Sequence, residues 1–240
     1  MRFDTNKPVA IVTGASSGIG RATARELVAR DWQVIGVGRD RQRSADATAQ
    51  IAETACTTGD FVMMRGDFTL MSEVARIADE IAALTPRLDV LVNNAGGVRD
   101  RRTITAEGTE ATFAANHLAP FLLTRKLMPL LRATAASGPD GIIAQAMHPG
   151  VVASNFASHG PGALQAHMAA ADTVSPDEPA ETLVWLATGS EGGRAGGRYF
   201  HRMAEEEPAA AAQDDNVAAA LWTESEKLLA ELGFGINPAS

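Results

Sequence analysis

Short apolar runs alternate with longer segments of helical periodicity along most of the chain. The apolar, often β-branched runs predict strands at 9–12, 32–38, 61–65, 88–92, 141–147 and 197–200. Apolar residues recur at intervals of three and four between these runs, which is typical of helices that cover one face of a sheet. The pattern therefore predicts an α/β fold.

The segment 109–131 has the longest helical stripe, and a second amphipathic helix is predicted at 214–232. Pro120 lies inside the first of these helices and has no N–H, so the carbonyl of Asn116 loses its helical partner. We therefore expect an irregularity in this helix near Asn116.

A glycine-rich turn joins the first predicted strand to the first predicted helix. Gly14, Gly18 and Gly20 follow the spacing G-x-x-x-G-x-G, and Ser16 and Ser17 lie within it. Without side chains on the turn, a diphosphate can approach the free N–H groups at the helix N-terminus. The turn is interpreted as a nucleotide-binding loop, and the alternative is a simple connector between strand and helix.

Length and charge exclude several classes of protein. The 240 residues fit one domain, and the formal charge of −8 argues against a nucleic-acid or anionic-membrane partner. No run of about 20 apolar residues predicts a membrane span, and the first eight residues lack the apolar core of a signal peptide. The single cysteine, Cys56, excludes an internal disulfide, so a cytoplasmic location is expected.

Arg39 follows the second predicted strand, where a dinucleotide fold faces the adenosine ribose. An acidic residue there would accept a hydrogen bond from a 2′-hydroxyl, whereas arginine suits a 2′-phosphate. Arg39 therefore favours NADP over NAD. The alternative is a solvated basic helix start.

The fourth predicted strand ends in Asn93-Asn94-Ala95-Gly96-Gly97. Together with the glycine loop, this element resembles the short-chain dehydrogenase/reductase family. Segments 103–118 and 146–156 are similar to the retinol-dehydrogenase-like and protochlorophyllide-reductase-like branch. The resemblance implies a single Rossmann-type domain over residues 1–240, a doubly wound parallel sheet with a C-terminal tail and helix at 208–240.

The resemblance also implies roles for individual residues. Asp67 would bind the adenine amino group, although it could equally cap the helix that follows. Pro149 and Gly150 would contact the nicotinamide carboxamide, and Asn116 would hold a water of the proton relay unless it is only a polar residue inside the helix. The full set of implied cofactor-binding residues is Gly14, Ser16, Ser17, Gly18, Ile19, Gly20, Arg39, Asp67, Phe68, Asn93, Ala95, Gly96, Pro149, Gly150 and Ser154.

One part of the family pattern is missing between Leu131 and His148. The family carries a serine on its fifth strand and Tyr-x-x-x-Lys on the next helix, whereas the only tyrosine here is Tyr199. Ser137 lies in a loop-like segment, and His117 and His148 belong to motifs without an acid–base role in the family. We expect a sheet reduced by one strand–helix unit, with 141–147 beside 88–92 and 197–200 next to it.

Three functions remain open on this basis. The first is an NADP-dependent oxidoreductase for an apolar carbonyl or alcohol, held under a mobile segment at 156–172. The second is a regulatory or sensor protein that binds NAD(P) without catalysis, and the third is an inactive deletion product. Because the missing helix forms part of the usual subunit interface of the family, we expect a monomer or a weak homo-oligomer.

Overall fold

The structure, a computed structural model, describes residues 3–4, 6–54, 61–136, 141–189 and 195–236, so Cys56 and Ser137 lie outside the described residues. The strands are β1 (Val9–Thr13), β2 (Gln33–Gly38), β3 (Phe61–Arg65), β4 (Val90–Val92), β5 (Gln145–Met147), β6 (Arg198–His201) and β7 (Ala204–Glu206). The helices are α1 (Gly18–Ala29), α2 (Arg41–Ala52), α3 (Met71–Leu84), α4 (Ala111–Phe113), α5 (Ala119–Ala135), α6 (Gly162–Ala170), α7 (Asp177–Thr188) and α8 (Asp215–Glu231).

In the described residues, the main sheet has four parallel strands in the order β3-β2-β1-β4. Ala10 of β1 lies opposite Val34 of β2 on one side and Val90 of β4 on the other. The strand order reverses between β1 and β4, and ligands of open α/β sheets bind at the carboxyl ends of the strands at such a point. The predicted α/β fold with a parallel sheet is confirmed.

Two apolar layers enclose the main sheet. Val9 and Ile11 of β1 pack into one layer with α3, α5 and α8, whereas Ala10 and Val12 pack into the other with α1, α2 and α7. Successive side chains of a strand point to opposite faces, so an apolar run without alternation fits a strand that is buried on both sides. The predicted doubly wound arrangement follows from this packing.

The position of β5 differs from the prediction. The strand covers 145–147 rather than 141–147, and it pairs with β6 in a second sheet whose third strand is β7. Within the described ranges, no strand pairs with the outer edge of β4. The expectation that 141–147 lies beside β4 is therefore wrong.

Contacts at the carboxyl end of β5 explain this difference. His148 N donates to Phe200 O of β6 at 2.8 Å, and Phe200 packs edge-on against Trp185 of α7 at 5.4 Å. Later in the chain, Ser154 lies against the glycine loop, because its Cβ is 3.5 Å from the position that a Cβ on Gly18 would take. These contacts hold β5 with α7 and the second sheet, and the described residues between α5 and β5 form no strand for the position next to β4.

The predicted irregularity near Asn116 takes the form of a π-helical turn, Ala114–Leu118, between α4 and α5. Ala119 N donates to Ala114 O, five residues back, just before Pro120. Within this turn, the His117 ring stacks on Phe113 and bonds Ser225 Oγ of α8 at 2.7 Å. Burial lowers the pKa of His117, which favours the neutral ring at this helix contact.

In the part of the chain that the structure describes, no helix has both the length and the apolar composition that a bilayer crossing requires.

Candidate functional site

A cleft of about 520 Å³ lies at the carboxyl ends of the main-sheet strands. Its walls come from the loops after β1, β2, β3 and β4 and from segment 149–159. The predicted cofactor-binding residues that line it are Gly14, Ser16, Ser17, Gly18, Ile19, Arg39, Asp67, Phe68, Ala95, Gly96, Pro149, Gly150 and Ser154. The fold thus brings together residues from almost every predicted motif.

Two predicted cofactor-binding residues do not line the cleft but support its walls. A Cβ on Gly20 would lie 2.6 Å from Gly14 O and 2.5 Å from Asn94 Nδ2, so the helix packs directly against the loop there. Asn93 Nδ2 donates to Thr124 Oγ1 of α5 at 3.0 Å. Gly20 and Asn93 therefore do not face the cleft, but their contacts hold the residues that form its walls in position.

Thr13 joins the loops after β1 and β4. Its hydroxyl accepts from the N–H groups of Asn94 and Ala95, both at 2.9 Å, and Asn94 Nδ2 donates to Thr13 O at 2.8 Å. Gly14 follows with φ +72°, and a Cβ there would lie 2.8 Å from Asn94 Nδ2. This network holds the backbone of both loops at the cleft wall. The sequence pattern predicts no role for Thr13.

The N-terminus of α1 opens into the cleft without an internal cap. Ser17 at the N-cap position makes no side-chain cap bond, and the first turn carries no acidic residue. A helix N-terminus has free N–H groups and a partial positive charge, both of which favour an anion. Since Ser17, Gly18 and Ile19 line the cleft, a phosphate could bind here.

Charged residues gather at the end of the cleft formed by the loops after β2 and β3. Arg39 Nη1 lies 4.0 Å from Asp67 Oδ1, and Thr69 donates to the same oxygen from N at 3.0 Å and from Oγ1 at 2.9 Å. Asp67 is not the cap of α3, because the N–H groups of Met71 and Ser72 donate to Glu107. Arg39 lines the cleft and directly precedes Asp40, the N-cap residue of α2.

Asp40 caps α2 beside Arg39 and accepts from Arg43 N at 2.8 Å. This hydrogen bond holds the pKa of the Asp40 carboxyl below its usual value, so Asp40 is ionised at neutral pH. Arg43 also lines the cleft. The helix thus presents a second arginine close to the first, with one carboxylate between them.

The other end of the cleft is built on Gly96 and Gly97. Asn116 Oδ1 accepts from Gly97 N and Asn116 Nδ2 donates to Gly97 O, both at 3.0 Å. Asn116 itself does not line the cleft, and its relay role stays a prediction. Phe156 lies near Gly96, and Phe156 O accepts from Val98 N at 3.2 Å. Segment 156–159 is thereby attached to the loop after β4.

His117, His148 and Tyr199, the residues weighed as substitutes for the missing proton donor, do not line the cleft. His117 faces α8, and His148 Nδ1 accepts from Gly150 N at 3.1 Å. Tyr199 lies in β6, paired with Ala146 and Glu206. Among the described residues that line the cleft there is no tyrosine and no lysine.

Four ionisable residues of the cleft were not predicted from the sequence, namely Asp40, Arg43, Arg99 and His159. Arg43 could have been found, because it lies three positions after Asp40 on a predicted helix. Arg99 and His159 belong to two loops far apart in the chain. Only the tertiary structure joins them, through a parallel backbone bridge.

Comparisons with known proteins agree with this geometry. A family model described as short chain dehydrogenase matches residues 8–147. Retinol dehydrogenase 14 from Mus musculus is 30% identical over 286 positions, with 92% of this chain and 86% of that protein covered. Polyprenol dehydrogenase from Mus musculus is 40% identical over 131 residues, which are 54% of this chain but only 38% of that protein.

A solved structure is similar in fold. The Pseudomonas aeruginosa RhlG/NADP active-site complex matches with a TM-score of 0.66 at 24% identity, over 80% of this chain and 93% of that one. The NADP in that description belongs to the neighbour, and the likeness itself concerns the fold.

Proposed function

Because the chain belongs to the short-chain dehydrogenase family, we propose that it binds NADP in the cleft and transfers hydride between that nucleotide and a carbonyl or alcohol carbon. The observation that carries this proposal is the cleft itself. It lies where the strand order reverses, and it is walled by the glycine loop, Arg39 and the Gly96 loop together.

The shape of the glycine loop fits a diphosphate. Side chains at Gly14 and Gly20 would clash with Asn94 and with the loop backbone, so glycine at both positions lets the start of α1 and the loops after β1 and β4 pack closely together. The free N–H groups at the start of α1 and the hydroxyls of Ser16 and Ser17 are the donors that would hold the phosphates.

Arg39 and Arg43 support NADP rather than NAD. Both line the end of the cleft where the adenosine ribose would lie, and two guanidinium groups suit a 2′-phosphate. Asp67, 4.0 Å from Arg39, would remain available to the adenine side.

The opposite end of the cleft supports an apolar substrate. Val98, Val151, Phe156 and Met168 line it. Within segment 156–172, the residues that line the cleft, namely Phe156, Ser158, His159 and Met168, would cover the substrate. When bound, reduced NADP supplies hydride, and this chain's residues would orient the carbonyl and exclude water around it. The names of two relatives refer to retinol and polyprenol, which are apolar alcohols.

A second candidate is nucleotide binding without redox chemistry. It is favoured by the position of the only tyrosine on β6, outside the cleft. The alignment with retinol dehydrogenase 14 extends over 286 positions, more than the 240 residues of this chain. We infer that a strand and a helix of that relative have no counterpart between α5 and β5. The third candidate is an inactive product of a deletion, which would neither bind the nucleotide nor catalyse a reaction.

Two measurements separate these candidates. NADPH is titrated into the purified chain by fluorescence, and loss of NADPH absorbance is then followed with a panel of ketones, aldehydes and quinones. Binding with turnover is expected. Binding without turnover would support the second candidate, whereas absence of binding by a folded chain would contradict both.

A further inference from the structure

An imidazole lies at the end of the cleft where the carbonyl would be reduced. His159 lines the cleft together with Arg99, Phe156 and Met168. It is exposed and belongs to the segment that follows the Pro149-Gly150 loop.

Several backbone bonds fix the position of His159. A parallel bridge pairs its backbone with that of Arg99, next to the bond from Val98 N to Phe156 O. Gly160 N donates to Ala157 O at 2.9 Å, and Gln165 Nε2 of α6 donates to Gly160 O at 2.7 Å. The turn that carries His159 is therefore attached to the Gly96–Arg99 loop on one side and to α6 on the other.

The other groups of the cleft are poorly suited to donate a proton near neutral pH. Its ionisable members among the described residues are Arg39, Asp40, Arg43, Asp67, Arg99 and His159. Guanidinium groups stay protonated, and the two aspartates lie at the adenosine end. Imidazole is the side chain that exchanges protons in this range.

We propose that His159 is the proton donor of the reduction, an inference that rests on the proposed function. The carbonyl carbon gains a hydride with both electrons of the C–H bond that breaks in the reduced nicotinamide. The carbonyl oxygen takes a proton from a ring nitrogen of the His159 imidazolium, so that an O–H bond forms as the N–H bond breaks. The alcohol and neutral imidazole result, and the exposed ring regains its proton from water.

The ionisable residues near His159 include a second histidine that can serve as a control variant. Arg99 is the charged side chain that lines the same end of the cleft, and the loop after β4 continues with Asp100, Arg101 and Arg102. On α6, the titratable residue is His167, which is exposed and does not line the cleft. His167→Gln is therefore a matched control for His159→Gln.

The kinetic test compares both variants with the unchanged chain, using NADPH and 4-nitrobenzaldehyde in single turnover. His159→Gln is expected to slow NADPH oxidation by about 100-fold or more, whereas His167→Gln changes the rate by less than about twofold. The affinity for NADPH is expected to stay within about twofold in both variants.

A second readout does not depend on turnover. Histidine side chains are labelled with ¹⁵N, and the His159 and His167 signals are assigned by their absence from the two variants. Addition of NADP⁺ is expected to shift the His159 signal and to leave the His167 signal in place. An unchanged His159 signal at saturating NADP⁺ would overturn the proposal.

The outcomes distinguish this proposal from the function on which it rests. Turnover that survives in His159→Gln overturns the proton transfer and leaves the oxidoreductase function intact. Absence of turnover in the unchanged chain overturns the proposed function and the proton transfer together.

Discussion

The main sheet and the second sheet differ in how deeply they are buried. Every residue of β1 and β2 is buried, whereas Phe200 is the buried residue among the ten positions of β5, β6 and β7. Strands β3 and β4 are intermediate, since residues 61–64 and 90–91 are half-buried, and no strand among the described residues pairs with the outer edge of β4. The glycine loop follows the buried strand β1 and is itself half-buried at Gly14 and at 16–19, whereas His159 is exposed.

This difference shows which part of the cleft is intrinsically stable. The adenosine and phosphate end is carried by strands packed between two helical layers, which are expected to open only with global unfolding. The carbonyl end depends on the contacts of α7 with α1 and β6 and on backbone bonds between loops. We expect this end to open locally and at lower cost.

The largest expected effect tests the two regions with the same substitution. Ile35→Ala empties a fully buried position of β2 and should lower the free energy of unfolding by about 2–5 kcal/mol. Ile142→Ala, at a side chain that is 43% exposed before β5, should cost less than about 0.5 kcal/mol. Urea unfolding measures both, and equal losses would contradict the comparison.

A pair of glycine-to-alanine variants tests whether the glycine loop holds the nucleotide. Gly20→Ala should weaken NADPH binding by about 30-fold or more, roughly 2 kcal/mol, because the new Cβ would lie 2.6 Å from Gly14 O. Gly162→Ala in the exposed region is the control, since a Cβ there meets no atom within 4 Å. Fluorescence titration of NADPH gives both affinities. Unchanged binding in Gly20→Ala would show that the loop does not hold the nucleotide.

A smaller effect concerns the choice of nucleotide. Arg39→Ala should reduce the preference for NADPH over NADH by about tenfold, since one charge-assisted contact to the 2′-phosphate is lost. Arg41→Ala is the control, because Arg41 is exposed at the start of α2 and does not line the cleft. The ratio of the two dissociation constants measures the effect, and an equal change in both variants would point to general electrostatics.

The smallest effect concerns the contact between the two regions. Asp177 Oδ1 of α7 lies 2.9 Å from Arg25 Nη2 of α1, and hydrogen bonds from Ser175 and Arg25 hold the pKa of Asp177 below its usual 3.8. Because the folded-state pKa is lowered, this stabilisation is present above pH 3.8 and is lost as the pH falls through the folded-state pKa. The carboxylate is 56% exposed, so solvent limits the contribution to about 0–1 kcal/mol.

Asp177→Asn should therefore lower the free energy of unfolding slightly at neutral pH, and the difference from the unchanged chain should shrink in acid. The exposed Asp172 offers the control variant Asp172→Asn. A difference for Asp177→Asn that grows as the pH falls below 3.8 would refute this account.

The four strands of the main sheet were predicted because each is an apolar run bounded by turn residues, and burial on both faces requires such a run. The irregularity at Asn116 was also predictable, since Pro120 lacks the N–H that a regular helix needs. The pairing of β5 was not predictable in this way. A short apolar run is compatible with either of two neighbours, and the contacts of His148, Phe200 and Trp185 select β6.

The sequence by itself determined the α/β class, the glycine-rich turn between β1 and α1 and the arginine after β2, because each depends on neighbours within a few residues. The tertiary structure alone decided that β5 lies in a second sheet with β6, and that no strand of the described ranges pairs with the outer edge of β4. It also brought His159 to Arg99, since the two loops meet only through backbone bonds between distant parts of the chain. The spacing of residues within a short segment predicts a turn or a helix start. The partners of an edge strand or a loop depend instead on how the whole chain packs.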